Sequence, residues 1–219
     1  MGETISLKEG TGYLALSGGA NAPGVVVIQE WWGLQDQIKG VCDRYAAAGF
    51  DALAPDLYAG KTIPYHDEVA AGAEMDSLDF LSATDLQVQA AAEHLARPGR
   101  KIGLTGFCLG GIVAILGAIR LSNFAASSCY YGIPSSEQGD PAEIAIPLLG
   151  HFANRDTWCT PAMVDALEES LIRHGKDHRI FRYDVDHGFF NPDVPEYDSA
   201  AAELAWQRDM AFWAEHLRN

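Results

Sequence analysis

Short apolar runs alternate along the chain with longer segments that are apolar only at every third or fourth position. The run Gly24–Glu30 (GVVVIQE) is β-branched and continuous, the pattern of a strand buried on both faces. After it, Ile38, Val41, Cys42, Tyr45 and Ala46 recur at helical spacing, and Gly49 supplies a stop. Residues 50–58 (FDALAPDLY) predict a second strand ending in a turn. Residues 60–82 are polar and rich in Gly and Ala, an excursion with room for a short helix. The segment TDLQVQAAAEHLA predicts a helix with Thr84 or Asp85 at its N-cap. RKIGLTGF then reads as a third strand and LGGIVAILGAI as a third helix. Two further strands follow, AASSCYYG and IPLLGHFA. TPAMVDALEESLIRHG is a helix with Pro161 in its first turn and Gly175 at its end, and HRIFRYDV is another strand. In the tail, Trp206, Met210, Trp213 and Leu217 share one helical stripe, which the pattern assigns to core packing. The opening TISLKEGTGYLALSGG reads as a small antiparallel hairpin.

Strands that alternate with helices of about 10–15 residues predict an α/β class, with a mostly parallel sheet and helices on both faces. No repeat, linker or compositional break divides residues 1–219, so one domain is expected. In such sheets functional groups collect on loops beyond the carboxyl ends of the strands. At 219 residues, 48% hydrophobic and 21% charged, the chain can bury a sizeable core and reads as globular and soluble. No apolar run approaches the roughly 18–20 residues of a membrane span. MGETISLKEG lacks a basic segment followed by an apolar one, so the expected location is cytoplasmic. The net charge of −15 repels phosphate backbones and anionic lipid, which argues against nucleic acid or a membrane as partner. It also disfavours long-range capture of anionic substrates. The four cysteines contain no C-x-x-C pair and no zinc spacing, so neither a metal site nor disulfides are expected.

One cysteine has a setting that suggests chemistry. Cys108 stands in G-x-C-x-G-G, between a strand and the head of a helix, the nucleophile-elbow pattern with sulfur in place of the serine oxygen. Gly106 and Gly110 keep the turn free of Cβ clashes, and Gly111 lets helix and sheet approach. The helix N-terminus favours a thiolate, and the Leu109 N–H is set to meet an oxyanion. The alternative is a small buried cysteine in a tight turn. Cys42, on a helix stripe, and Cys129, inside a strand, read as core. Cys159 reads as exposed near the same corner.

A thiol nucleophile needs a base, and the base an orienter. His66, His94, His174, His178 and His216 lie on polar or helical stretches and read as solvated. His151, in or just after a strand, competes with His187, which follows HRIFRYDV in the loop DVDHGFFNP. His187 is the stronger candidate. Asp156 follows the strand ending near Phe152; its alternative is a helix cap near Pro161. Asp184 and Asp186 are rival orienters but lie close to His187 along the chain. The order Cys108, Asp156, His187 is the nucleophile–acid–histidine order of the α/β-hydrolase fold. In QEWWGLQD, after the first buried strand, the Trp31 N–H is the expected second oxyanion donor and Trp31 or Trp32 a pocket wall. Glu30 is expected to bond the thiol or hold the loop; the alternative is a loop carboxylate beside two packing aromatics. Phe189 and Phe190 are expected to line the pocket.

The chain resembles the dienelactone hydrolase family, a branch of the α/β-hydrolases. VVVIQEWWGL, GFDALAPDLYAG, KIGLTGFCLGG and DVDHGFFNP carry the likeness, supported by CYYG and RDTWCTP. The resemblance implies a cofactor-free, monomeric hydrolase of a small ester or lactone, acting through Cys108, His187 and Asp156. It also implies a Glu30 that contacts the cysteine at rest and is displaced by substrate. The family's founding enzymes hold a substrate carboxylate with arginines. Here residues 65–82 contain no Arg or Lys, and Asn191 stands where an arginine is expected after His187. A neutral or differently anchored ester or lactone is therefore expected. Two other classes remain open: a non-catalytic binding protein on this scaffold, and a redox protein pairing Cys108 with Cys159.

Overall fold

The computed structural model describes residues 2–218. The opening hairpin is present as β1 (Glu3–Ser6) and β2 (Thr11–Ala15). The first buried run is β3 (Gly24–Ile28), followed by α1 (Asp36–Ala47) and β4 (Asp51–Pro55). The excursion holds α2 (Glu68–Ser77), capped by the Asp67 carboxylate on the Ala70 N–H.

The next helix differs from expectation at its start. It begins as α3 (Phe80–Ala83), passes through a π-helical turn at Thr84–Val88 and continues as α4 (Gln89–Leu95). Its N-cap is Asp79, whose carboxylate accepts from the Leu81 and Ser82 N–H groups, rather than Thr84 or Asp85. The Thr84 hydroxyl instead donates back to the Phe80 carbonyl at 2.7 Å, the behaviour of a hydroxyl inside a helix.

β5 (Ile102–Phe107), α5 (Leu109–Arg120) and β6 (Ala126–Tyr130) come next, then β7 (Leu148–Ala153), α6 (Pro161–Arg173), β8 (His178–Tyr183) and α7 (Ser199–Leu217). The eight strands form one sheet in the order β1-β2-β4-β3-β5-β6-β7-β8. Strands β3 to β8 run parallel, and the hairpin adds antiparallel through β2 to β4. The sheet is therefore mostly parallel, as the alternation predicts.

Each face of the sheet carries its own core. On one, Ile38, Val41 and Tyr45 of α1 join Trp206, Phe212, Trp213 and Leu217 of α7. On the other, the π-helical turn, α4, α5 and α6 contribute Val88, Leu95, Val113, Ile115, Leu167 and Leu171. The tail stripe is thus core, with Met210 packed at its margin. Because β3, β5, β6, β7 and β8 are parallel, residues just past their last positions share one edge of the sheet. Glu30, Cys108, Tyr131, Asp156 and His187 all lie there.

Candidate active site

The corner after β5 is built by a conformation that L-residues avoid. Cys108 has φ = +54°, and α5 starts at the next residue. Such a residue costs on the order of 1–3 kcal/mol and persists only where its surroundings impose it. Here the Cys108 N–H donates to the Tyr130 carbonyl at 3.0 Å, and the Cys108 carbonyl accepts from the Gly111 N–H at 2.9 Å. Two glycines make room for the turn. A Cβ on Gly106 would stand 2.0 Å from the Gly110 carbonyl oxygen, and one on Gly111 would stand 2.5 Å from that of Tyr130. The Leu109 N–H, at the first position of α5, has no partner within the helix.

The loops after β7 and β8 bring an acid and an imidazole to this corner. Asp156 is buried. Its Oδ1 accepts from the Trp158 N–H at 2.7 Å and the Cys159 N–H at 2.9 Å, and its Oδ2 stands 2.7 Å from Nδ1 of His187. Three contacts thus fix the carboxylate and the ring it faces. The cap of α6 is Thr160, so Asp156 is not spent on that role. Burial alone would lower the His187 pKa. The negative charge of Cys108 beside it and the bonds to Asp156 and Cys108 outweigh burial and push it up to about 10. The rivals are occupied elsewhere. Asp184 and Asp186 both bind the Arg155 guanidinium, at 2.9 and 3.1 Å. His151 is fully buried in β7, with Nδ1 2.8 Å from the Tyr183 hydroxyl and Nε2 3.1 Å from Asp209.

Glu30 follows β3 and is buried at the cavity wall. Its Oε1 accepts from the Tyr131 hydroxyl at 2.9 Å and its Oε2 from the Asn191 amide at 2.6 Å. Burial raises its pKa against the opposing pull of Asn191, Tyr131 and His187. Tyr131 is a site residue that sequence reasoning passed over, and Asn191, noted only as standing in place of an arginine, is its fellow partner of Glu30. Tyr131 also has a positive φ, +37°, and its ring meets His187 edge-on at 4.9 Å. The available signal was position, since Tyr131 is the first residue past β6.

Two pockets meet at Cys108, His187 and Trp158. The larger, about 360 Å³, is walled by Trp31 and Trp32 as expected and carries Glu30, Glu68, Asp186 and Glu196. Trp31 packs edge-on against both Trp32 and Trp158, with ring centroids 5.0 and 5.2 Å apart. The smaller, about 110 Å³, lies against Leu109 and Cys159.

Three expectations need correction. Phe189 and Phe190 do not face the site: Phe190 stacks on Phe107 at 4.9 Å, Phe189 packs on Tyr131 and Tyr183, and both are buried in the core. Two consecutive aromatics after a strand fit a core as well as a pocket, and only the path of the loop decides. Cys159 is buried rather than exposed, and burial followed by the charge of Asp156 raises its thiol far above the ordinary value. His178 and His216 are partly buried rather than fully solvated, His178 beside the Lys176 carbonyl and His216 against Phe212.

Among the described residues no three His, Cys, Asp or Glu side chains converge as a metal site. No described helix is long and apolar enough to cross a membrane.

Known proteins match this chain over almost its whole length. The family model described as the dienelactone hydrolase family matches residues 11–217. "Protein usf" of Aquifex pyrophilus is 32% identical, with 99% of this chain and 100% of that protein covered. An Aquifex aeolicus protein named "Putative carboxymethylenebutenolidase" is 30% identical, with both chains covered in full (100%). Among solved structures, a Klebsiella pneumoniae protein described as "Putative Dienelactone Hydrolase" superposes with a TM-score of 0.85 at 26% identity, covering 98% of each chain. A loop-borne site at the carboxyl edge of a mostly parallel sheet and these matches agree, and the chain belongs to the dienelactone hydrolase family, as an ester or lactone hydrolase of the α/β-hydrolase fold.

Proposed function

We propose that the chain hydrolyses a small carboxylic ester or lactone through an acyl-enzyme on Cys108, with His187 as acid–base and Asp156 as its orienter. The observation that carries this is the 2.7 Å contact between Asp156 Oδ2 and His187 Nδ1, with the opposite edge of the ring beside the Cys108 sulfur. The Cys108 proton passes to His187. The Cys108 thiolate attacks the carbonyl carbon, forming a C–S bond, and the carbonyl oxygen takes the charge. The N–H groups of Leu109 and Trp31 receive it. The C–O bond to the leaving group breaks as His187 protonates the alkoxide. Water then gives a proton to His187 and attacks the thioester. The C–S bond breaks, the acid leaves, and the thiolate–imidazolium pair is restored. Asp156 holds the ring in the tautomer these transfers need.

Glu30 braces the EWWG loop. Both its oxygens are engaged by Tyr131 and Asn191, on two other loops of the site. The larger pocket also bears on the substrate. Apart from His187, which faces Asp156, its cationic side chain is Arg155, already paired with Asp184 and Asp186, and four carboxylates share the wall. A substrate carboxylate would meet repulsion there, so neutral esters and lactones are the favoured class. The redox alternative is disfavoured by Cys159, whose buried thiol resists the ionisation a resolving cysteine needs.

The test is Cys108→Ala assayed on aryl esters and lactones, alongside intact mass of the unmodified chain mixed briefly with an activated ester. A fall of about a thousandfold or more in turnover and an acyl adduct on Cys108 are expected. Turnover at the original rate would refute the assignment. A matched ester pair with and without a carboxylate should show at least about tenfold preference for the neutral member.

A further inference from the structure

The two pockets that meet at Cys108 differ in chemistry, and the deacylation step distinguishes them. Hydrolytic water must approach the acyl carbon from the side the leaving group vacated, and it must reach His187 on the way. An ordered water needs about 2–4 polar partners. The larger pocket offers them in Glu30, Glu68, Thr157 and Asp186. Beyond Cys108, Trp158 and His187, which both pockets share, the smaller is walled by Met75, Leu109, Ile112, Ile133, Met163 and the buried thiol of Cys159, and its Tyr131 hydroxyl is already given to Glu30, which leaves a water few partners. A wall this apolar favours an apolar ligand over ordered water.

We infer that the smaller cavity is the acyl-chain subsite, taking a short unbranched aliphatic chain, while the leaving group and then the hydrolytic water occupy the larger, acidic, indole-walled pocket. This rests on the acyl-enzyme reading above and adds the substrate class. The cavity's size sets the chain. A cavity of about 150 Å³ lined by apolar side chains holds benzene, so about 110 Å³ admits roughly four carbons beyond the carbonyl. Met75 of α2 and Met163 of α6 both stand in its wall. The leaving group faces no comparable limit, since the larger cavity is more than three times the volume.

The test uses p-nitrophenyl esters from acetate to octanoate, with leaving group constant, and a second series of acetates with leaving groups of growing size. In the acyl series kcat/KM should rise by about fourfold per methylene to butanoate or pentanoate. It should then fall by about tenfold or more at octanoate. The acetate series should vary far less. Ile133→Trp, which fills the cavity, should lower the butanoate-to-acetate ratio of kcat/KM by about tenfold or more. That ratio is read within one protein and does not depend on how much of it is active. Met163→Ala, at a wall residue that is 38% exposed, should move the optimum to a longer acyl chain and serves if Ile133→Trp fails to fold. A flat acyl profile overturns the assignment, as does a leaving-group profile that responds to Ile133→Trp while the acyl profile does not. Cys108→Ala separates the two levels. If it abolishes turnover while the acyl profile is flat, only the subsite assignment falls; if turnover survives it, both fall.

Discussion

At the scale of single residues, Cys108 and His187 give the sharpest tests. The corner that carries Cys108 depends on the missing Cβ of Gly106, because the atom it would strike is a backbone oxygen that cannot turn away. Gly106→Ala is expected to cost more than about 2 kcal/mol and to impair ester turnover together with folding, checked by urea denaturation and activity on one preparation. His187 gives a pH prediction. Its folded pKa is raised from 6.5 to about 10, so the imidazolium persists through neutrality and is lost only as pH rises through about 10. The stability this pairing contributes is complete below pH 6.5 and disappears as pH rises through the folded value. With the ion pair as the reactive form, kcat/KM should hold to about pH 9 and fall above it with a midpoint near 10. Asp156→Asn removes one interaction that raises the pKa and should shift that midpoint down while lowering the rate. An alkaline midpoint that stays in place in the variant would contradict the role given to Asp156.

At the scale of elements, the joints between strands matter most. Asp51 opens β4 and is buried there. It accepts from the Ser17 N–H and hydroxyl, both at 2.9 Å, and from Arg100 at 2.5 Å, with Arg100 itself nearly enclosed. One carboxylate thereby ties the chain after β2 to the residues that lead into β5. Burial raises its pKa, but the bonds from Ser17 and Arg100 prevail and hold it below the ordinary 3.8. The stability so gained is present above pH 3.8 and is lost as pH falls through the folded value. Asp51→Ala leaves Arg100 buried without this partner and is expected to cost about 3–5 kcal/mol, measured by denaturation at neutral pH. The cost should shrink in acid. The elements themselves were legible, because strand and helix periods are local properties of the pattern. The start of α3 was not. Asp79, Thr84 and Asp85 are all competent caps, and the first turn, FLSA, is too short to show a period.

At the scale of the whole molecule, one carboxylate joins the last helix to the sheet. Asp209 of α7 is fully buried and accepts from the hydroxyls of Ser128 (2.7 Å), Tyr130 (2.9 Å) and Tyr45 (3.0 Å), and it faces His151 at 3.1 Å. Burial first, and then the charge of Asp209, hold both tyrosines in the neutral form that donates. Tyr130 is also the residue whose carbonyl fixes the Cys108 N–H, so the network underlies the site without touching substrate. Asp209→Ala strands several buried donors and should cost at least about 3 kcal/mol. In a chain of this size that lowers Tm by at least about 6 °C, read by calorimetry.

The alternation of apolar runs determines a parallel sheet. The glycines around Cys108 determine a tight strand-to-helix corner. The order of cysteine, acid and histidine marks the hydrolase pattern. Each of these is written in neighbouring residues, where backbone sterics and burial period act. Tertiary structure alone decides that His151 serves the core while His187 meets Asp156, and that Phe189 and Phe190 turn inward. It also decides that Glu30 is held by Asn191, 161 residues away, and that Arg155 is consumed by Asp184 and Asp186. These depend on which loops the crossover connections bring to the same edge of the sheet. No local period encodes such a meeting, because the bond forms only after both loops have been carried there by strands whose own order is set by packing.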